Sequence, residues 1–141
     1  MAANLNLLQW APAWEIGVRQ IDDDHRLLVD QSNALYQALA ESRPKAEIMT
    51  IIGRMESGCW EHFRREEAIL REAKYHGVDA HVAEHRRIEG ELQQVVHAMG
   101  VDDVSVPAWK EFVLFFQTTL VNHLLLYDLR YKSHLLWYQS Q

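Results

Sequence analysis

The stretch "IMTIIGRMESGCWEHFRREEAILREA", residues 48–73, decides the fold. Ile48, Ile52, Met55, Cys59, His62, Glu66, Ile69 and Ala73 recur at alternating steps of four and three, which is the inward stripe of an amphipathic helix. Two members of that stripe, His62 and Glu66, are polar. A buried polar group without a partner costs roughly 2–7 kcal/mol, so both positions demand an explanation beyond packing.

The same spacing appears in three other segments. Ile21, His25, Leu28, Ser32, Leu35 and Leu39 form the first stripe, and His81, His85, Ile88, Leu92, Val95 and Met99 the third. Trp109, Phe112, Phe116, Leu120 and His123 form the fourth, in a helix that begins at Pro107 after Ser105 and Val106. The segments are separated by "SRPKAE" around Pro44, "YHGVDA" around Gly77 and "GVDDVSVPAW" around Gly100 and Pro107. No strand pattern competes. Short connections between long amphipathic helices favour antiparallel neighbours, so the expected class is all-α, an up-down-up-down antiparallel four-helix bundle. Residues 1–18 lack a helical stripe but carry Leu5, Leu7, Leu8, Trp10, Trp14 and Ile16, which predicts an ordered N-terminal arm on a single bundle domain spanning 19–141.

A chain of 141 residues fits one domain with a sizeable core. The net charge of −6 and the scattered placement of 14 Lys and Arg exclude the basic footprint of a nucleic-acid binder. The single cysteine, Cys59, cannot form an internal disulfide and sits on an apolar stripe, so it reads as a buried free thiol. No charged leader and no uncharged apolar run of spanning length is present, which predicts a cytoplasmic protein with no membrane partner.

Each helix therefore points histidine inward. His25 and His81/His85 lie near the starts of the first and third helices, while His62/Glu66 and His123 lie late in the second and fourth, so antiparallel packing brings all six to one level. Metal coordination satisfies their lone pairs without water. The i,i+4 pairs His62/Glu66 and His81/His85 can each approach one site from a single helix face. Glu67 lies about 100° further round the helix than Glu66 and is expected to be solvated. His76, His97 and His134 read as bystanders, Asp22 to Asp24 as a complement to the helix dipole, and Trp109, Phe112, Phe116, Trp137 and Tyr138 as core. A single structural zinc is a poor match, because it takes only four ligands.

On these residues the chain resembles the hemerythrins, in particular the single-domain bacterial type, over almost its whole length. The likeness lies in Trp10, in "IGVRQIDDDH" with Gly17, Ile21, Asp22 and His25, and in "HFRREE", "HVAEH" and "HLLLYDLRY". The resemblance implies a non-haem di-iron centre with the spacing H...HxxxE...HxxxH...HxxxxD, which adds Asp128 to the six residues above. It implies that His81, His85 and His123 bind one iron, that His25 and His62 bind the other, and that Glu66, Asp128 and an oxo or hydroxo group bridge the two. Dioxygen would then bind reversibly at the open position of the two-His iron, without enzymatic turnover, and azide-like anions would enter the oxidised form. Asp22 would support His25. The implied oxygen pocket is Leu28, Phe63, Leu120 and Leu124, with one departure: Thr119 stands where hemerythrins commonly carry tryptophan.

The alternative is a di-iron oxidase or ferroxidase of the ferritin-like type, but such sites use ExxH pairs and this chain contains none. An oxygen sensor acting through the arm is a further reading. One local feature follows from the implied ligand set. His123 and Asp128, five residues apart, would project roughly 140° apart on a regular helix, which predicts a π-type widening between them.

Overall fold

The computed structural model of the chain describes residues 7–101, 106–123 and 127–141. Five helices are described: α1 (Arg19–Ala40), α2 (Lys45–Glu72), α3 (Val78–Val101), α4 (Val106–His123) and α5 (Leu129–Gln139). A short 3-10 turn at Pro12–Trp14 precedes them, and there is no strand among the described residues. None of these helices is long and apolar enough to cross a membrane.

Helix ends follow local chemistry. Past α1 the chain turns through Ser42 at φ 54°, and Arg43 N–H donates back to Ala38 O at 2.9 Å. Lys74 at φ 55° closes α2 in the same way, with Tyr75 N–H donating to Leu70 O at 3.0 Å. Both are left-handed caps of the kind that satisfy the last carbonyls of a helix. Pro44 restarts the chain, its fixed φ suiting the entry to α2.

Helix α1 packs against α2 and α4, and α2 packs against α3. The pairings run in opposite directions: Asp24 meets Arg65, His25 meets His62 and Gln31 reaches Arg54, so numbers rise along α1 as they fall along α2. Across α2 and α3, Arg64 meets Glu89 and Glu67 meets Arg86. The stripe residues are buried on every helix, apart from Leu39, Ile69 and Val95, which are half-buried. Trp109, Phe112 and Phe116 are core as expected, whereas Trp137 is 57 % exposed and Tyr138 lies at the surface, contrary to expectation, because α5 turns Tyr131 and Leu135 to the core and these two residues lie off that face.

The buried apolar residues form two clusters. The larger includes Leu28, Leu35, Ile52, Met55, Phe63, Leu92, Phe112 and Phe116, and the smaller contains Ile16, Val18, Ile21, Leu70, Ala73, Tyr131 and Leu135. Ile16 comes from the arm, which is pinned by its backbone: Asp22 accepts the N–H groups of Ile16 at 2.8 Å and Gly17 at 3.0 Å. Gly17 has φ +92°, and a Cβ there would meet Leu136 Cδ2 at 3.0 Å, so a side chain is excluded both by conformation and by space. Asn33 adds a reciprocal amide contact to Leu8 at 2.8 and 2.9 Å. Leu5 of the arm lies outside the described residues.

Candidate metal centre

Between the two apolar clusters lies a polar layer. His25 falls between Ile21 and Leu28, and His62 and Glu66 fall between Cys59 and Leu70, so α1 and α2 each pass from one cluster to the other through their polar residues. All seven residues expected at the site, His25, His62, Glu66, His81, His85, His123 and Asp128, are at most 5 % exposed. Their donor atoms gather into two overlapping groups, Glu66, His81, His85, His123 and Asp128 in one, and His25, His62, Glu66 and Asp128 in the other.

The carboxylates divide their oxygens between the groups. Glu66 Oε1 faces His81 Nε2 at 2.5 Å and His85 Nε2 at 3.2 Å, while Oε2 faces His62 Nε2 at 2.9 Å and His25 Nε2 at 3.5 Å. Asp128 Oδ1 faces His81 at 3.0 Å and His123 at 2.9 Å, while Oδ2 faces His25 at 3.0 Å. Despite these short distances, Glu66 Oε2 and both Asp128 oxygens make no hydrogen bond of acceptable geometry. The imidazole Nε2 atoms meet only one another or Glu66 Oε1, at His25–His62, His85–His123 and His81–Glu66, and the remaining carboxylate oxygens converge on them unpaired, an arrangement that coordination to cations would satisfy. Nine-tenths of buried polar groups are otherwise paired, so this concentration of orphaned atoms fits a metal pair held by imidazole and carboxylate.

Tyr127 and Asp128 have π-helical geometry where α5 begins, in line with the widening that the His123 to Asp128 spacing requires. The fourth stripe thus reaches the site through two described helices, α4 carrying His123 and Asp128 sitting at the N-terminus of α5.

Two residues that hold the donors in place differ from expectation. Glu67 is not solvated: it is 7 % exposed, accepts a hydrogen bond from His85 Nδ1 at 2.7 Å, and is itself held by Arg86 at 2.5 Å. Helix α2 contacts both α1 and α3, so its buried arc is wider than one stripe, and a residue 100° from Glu66 still faces α3. Asp24 does more than complement a helix dipole. It accepts from His62 Nδ1 at 3.1 Å and from Arg65 at 2.8 and 2.9 Å. Asp22, expected to support His25, instead holds the arm. Phe63 stacks on His85, with ring centroids 3.9 Å apart and planes 9° from parallel. The adjacency of Asp24 to His25 and of Glu67 to Glu66 was the available signal, but it does not say which neighbouring helix each faces.

Electrostatics of the metal-free chain follow from this crowding. Burial disfavours the charged form of His62, but Glu66 and a hydrogen bond to Asp24 outweigh it and push the imidazole up to about 10. His81 behaves alike, its burial overcome by Asp128 and Glu66, and reaches about 9. Burial also opposes the charge on Asp128 and Glu66, yet the surrounding histidines hold both carboxyls well below their ordinary range.

A cavity of about 30 Å³ adjoins the layer, room for one molecule near the size of water. Of the expected pocket residues, Leu28, Phe63, Thr119 and Leu120 line it, and Leu124 lies outside the described residues. His25, His62 and His123 also face it, as do Cys59, Ile88, Leu92, Phe115 and Phe116, which the sequence reading did not assign to it. Neither Trp137 nor the described arm reaches the space beside Thr119. Cys59 is buried and its thiol is pushed up to about 12 by burial, so it is an inert wall residue. Of the bystander histidines, His76 and His97 are exposed, and His134 donates to Ala73 O at 2.6 Å.

Fold and donor set together define a helical protein with a buried imidazole and carboxylate cluster that could hold metal ions. The hemerythrin HHE cation binding domain matches residues 16–135, and the chain belongs to that family. Among solved structures it is similar to a wild-type hemerythrin at 28 % identity, covering 92 % of this chain and 98 % of that one with a TM-score of 0.76. Two single-substitution mutants of hemerythrin match at 27 % identity, covering 93 % of this chain and 98 % of theirs, also at 0.76. No curated protein sequence matches.

Proposed function

We propose that the chain holds two iron ions in this layer, with an oxo or hydroxo bridge between them, and binds dioxygen reversibly through them. The supporting observation is the division of the Glu66 and Asp128 oxygens between a three-histidine group and a two-histidine group. Bound there, the metal pair would lend two electrons to dioxygen and recover them on release. His81, His85 and His123 would complete one side, while His25 and His62 leave the other with fewer donors, and an open position is what separates reactive from structural sites. Both His25 and His62 face the apolar cavity, whose size suits a diatomic molecule or the end of an azide-like anion and whose Leu and Phe walls exclude water. Glu67 and Asp24 fix the rings of His85 and His62 through their Nδ1 atoms, leaving each Nε2 free to ligate.

In this reading residues 19–141 form an up-down-up-down four-helix bundle carrying the centre, with the N-terminal arm, residues 1–18, packed along it. Oxygen storage, delivery or sensing in the cytoplasm would all use the same chemistry. The rival reading, a di-iron oxidase, is less well served by five imidazoles than by the carboxylate-rich sites such enzymes use. Anaerobic reduction of iron-loaded protein, admission of air and removal of oxygen, followed by absorption spectroscopy, separates them. Reversible cycling supports the carrier; a one-way change with peroxide release or substrate turnover supports the oxidase.

A further inference from the structure

Tyr131 has no part in the donor set, yet it is fully buried against it. Its ring lies edge-on to His81 with centroids 5.3 Å apart, and its buried hydroxyl is close enough to the Glu66 and Asp128 carboxylates for their charge to push it well above the ordinary tyrosine value. From Tyr131 the aromatic contacts continue outward. Tyr75 follows at 6.2 Å, His134 at 5.5 Å from Tyr75, and Trp137 at 5.6 Å from His134. Burial falls along this series: Tyr75 and His134 are half-buried and Trp137 is 57 % exposed.

The series is built from local features. Tyr131, His134 and Trp137 are spaced i, i+3, i+6 on α5, so they climb one side of that helix. Tyr75 enters from the turn after α2 and lies over Gly77, where any Cβ would meet its ring at 2.8 to 2.9 Å. His134 is fixed by its bond to Ala73 O in the same turn. Tyr131 is fixed by burial and His134 by this hydrogen bond, and the series ends at solvent instead of within a core.

We propose that Tyr131, Tyr75, His134 and Trp137 form a one-electron path between the metal centre and the surface, with Trp137 as the port for an external reductant. This rests on the function proposed above, in which a centre left oxidised after losing its oxygen as peroxide must be reduced again before it can bind another molecule. In each pass a one-electron donor such as a reduced flavin loses one electron and one ferric ion becomes ferrous, so two passes restore the pair. Only in metal-free protein, where an indole radical is the oxidant, is a tyrosine itself oxidised; its O–H, then a far stronger acid than a carboxyl group, gives its proton from Tyr131 to the Glu66 carboxylate or from Tyr75 to solvent. The proton returns with the next electron, and no bond between heavy atoms changes. His134 serves as the spacer between the Tyr75 and Trp137 rings.

The path is testable without metal. In metal-free protein, flash photolysis of a ruthenium tris-bipyridine complex with a sacrificial quencher oxidises exposed indole, and transient absorption with freeze-trapped electron paramagnetic resonance follows the radical. The expected result is decay of the indole radical into a tyrosyl radical, lost in Trp137→Phe and in Tyr75→Phe. In Tyr131→Phe, which removes only the hydroxyl, the tyrosyl radical should remain but be confined to Tyr75. In iron-loaded protein, re-reduction of the oxidised centre by photoreduced flavin should slow at least several-fold in Trp137→Phe at unchanged iron content. An indole radical that decays without forming tyrosyl, or a re-reduction rate unmoved by Trp137→Phe, overturns the proposal. Failure to bind iron at all would sink the function proposed above, while the metal-free measurement still decides the path.

Discussion

Glu67→Gln probes the link between packing and metal binding most directly. In the native chain Glu67 accepts from His85 Nδ1 at 2.7 Å and from Arg86 at 2.5 Å, so its charge sets both the direction of the imidazole N–H and the basicity of Nε2. Glutamine keeps the shape and can still accept from His85 through its oxygen, but its amide NH2 then meets the Arg86 guanidinium, donor against donor. A hydrogen bond to a charged group contributes about 1.5–3 kcal/mol and a neutral one about 0.5–1.5, so the loss at His85 is about 1 kcal/mol or slightly more. At about 1.4 kcal/mol per decade, that is a five- to tenfold weakening of metal affinity at the three-histidine side. Glu67→Ala, which leaves His85 Nδ1 without an acceptor, should fall within the roughly 10–100-fold range typical of such supporting groups. The assay is iron retention against a graded chelator, with Glu61→Gln, at an exposed position on the same helix, as control. If Glu67→Gln and Glu67→Ala both retain iron within twofold of the native chain while folding normally, His85 does not depend on Glu67 and the argument fails.

In the metal-free protein, His62 and His81 are raised above the ordinary histidine value to about 10 and about 9. Their contribution to stability is therefore complete below about pH 6.5 and is lost as pH rises through those values. Thermal melts of chelator-treated protein should show Tm falling between pH 7 and 10, with a flatter profile once metal replaces the protons; a flat metal-free profile would contradict this. Asp24 carries the opposite sign. Burial raises it but His62 and Arg65 hold it at about 2, so its contribution is present above the usual carboxyl value near 3.8 and disappears as pH falls through 2, which Asp24→Asn should abolish in acid titrations of metal-free protein. Thr119 lines both the inner cavity and an outer polar cleft with Glu84, Arg87 and Tyr127, so Thr119→Trp should slow autoxidation and azide entry; unchanged rates with intact iron content would show that Thr119 is not on the access route. Asp22→Ala removes the acceptor of two arm N–H groups and should cost about 1–3 kcal/mol in urea denaturation, whereas a loss below 0.5 kcal/mol would mean that water replaces Asp22 freely.

Which residues face inward was a matter of period, and period is a property of the chain alone. The alternation of threes and fours that carries Ile48 through Ala73 places His62 and Glu66 in the core whatever their neighbours, and the histidine positions near alternate helix ends bring the polar residues to one level once the helices run antiparallel. Asp128 was reachable only through likeness to a family, because five residues from His123 is the wrong interval for a regular helix, and the π-helical geometry at Tyr127 and Asp128 is what reconciles the two. Tertiary structure decided the rest, for a physical reason common to every case. A stripe defines one direction from a helix axis, whereas α2 lies against α1 and α3 at once, so Asp24 and Glu67, one step off their stripes, meet His62 and His85 across different interfaces. The split of each carboxylate's two oxygens, the cavity beside Phe63 and Thr119, and the meeting of Tyr75 with Tyr131 and His134 likewise depend on distances between segments far apart in the chain, which no local spacing encodes.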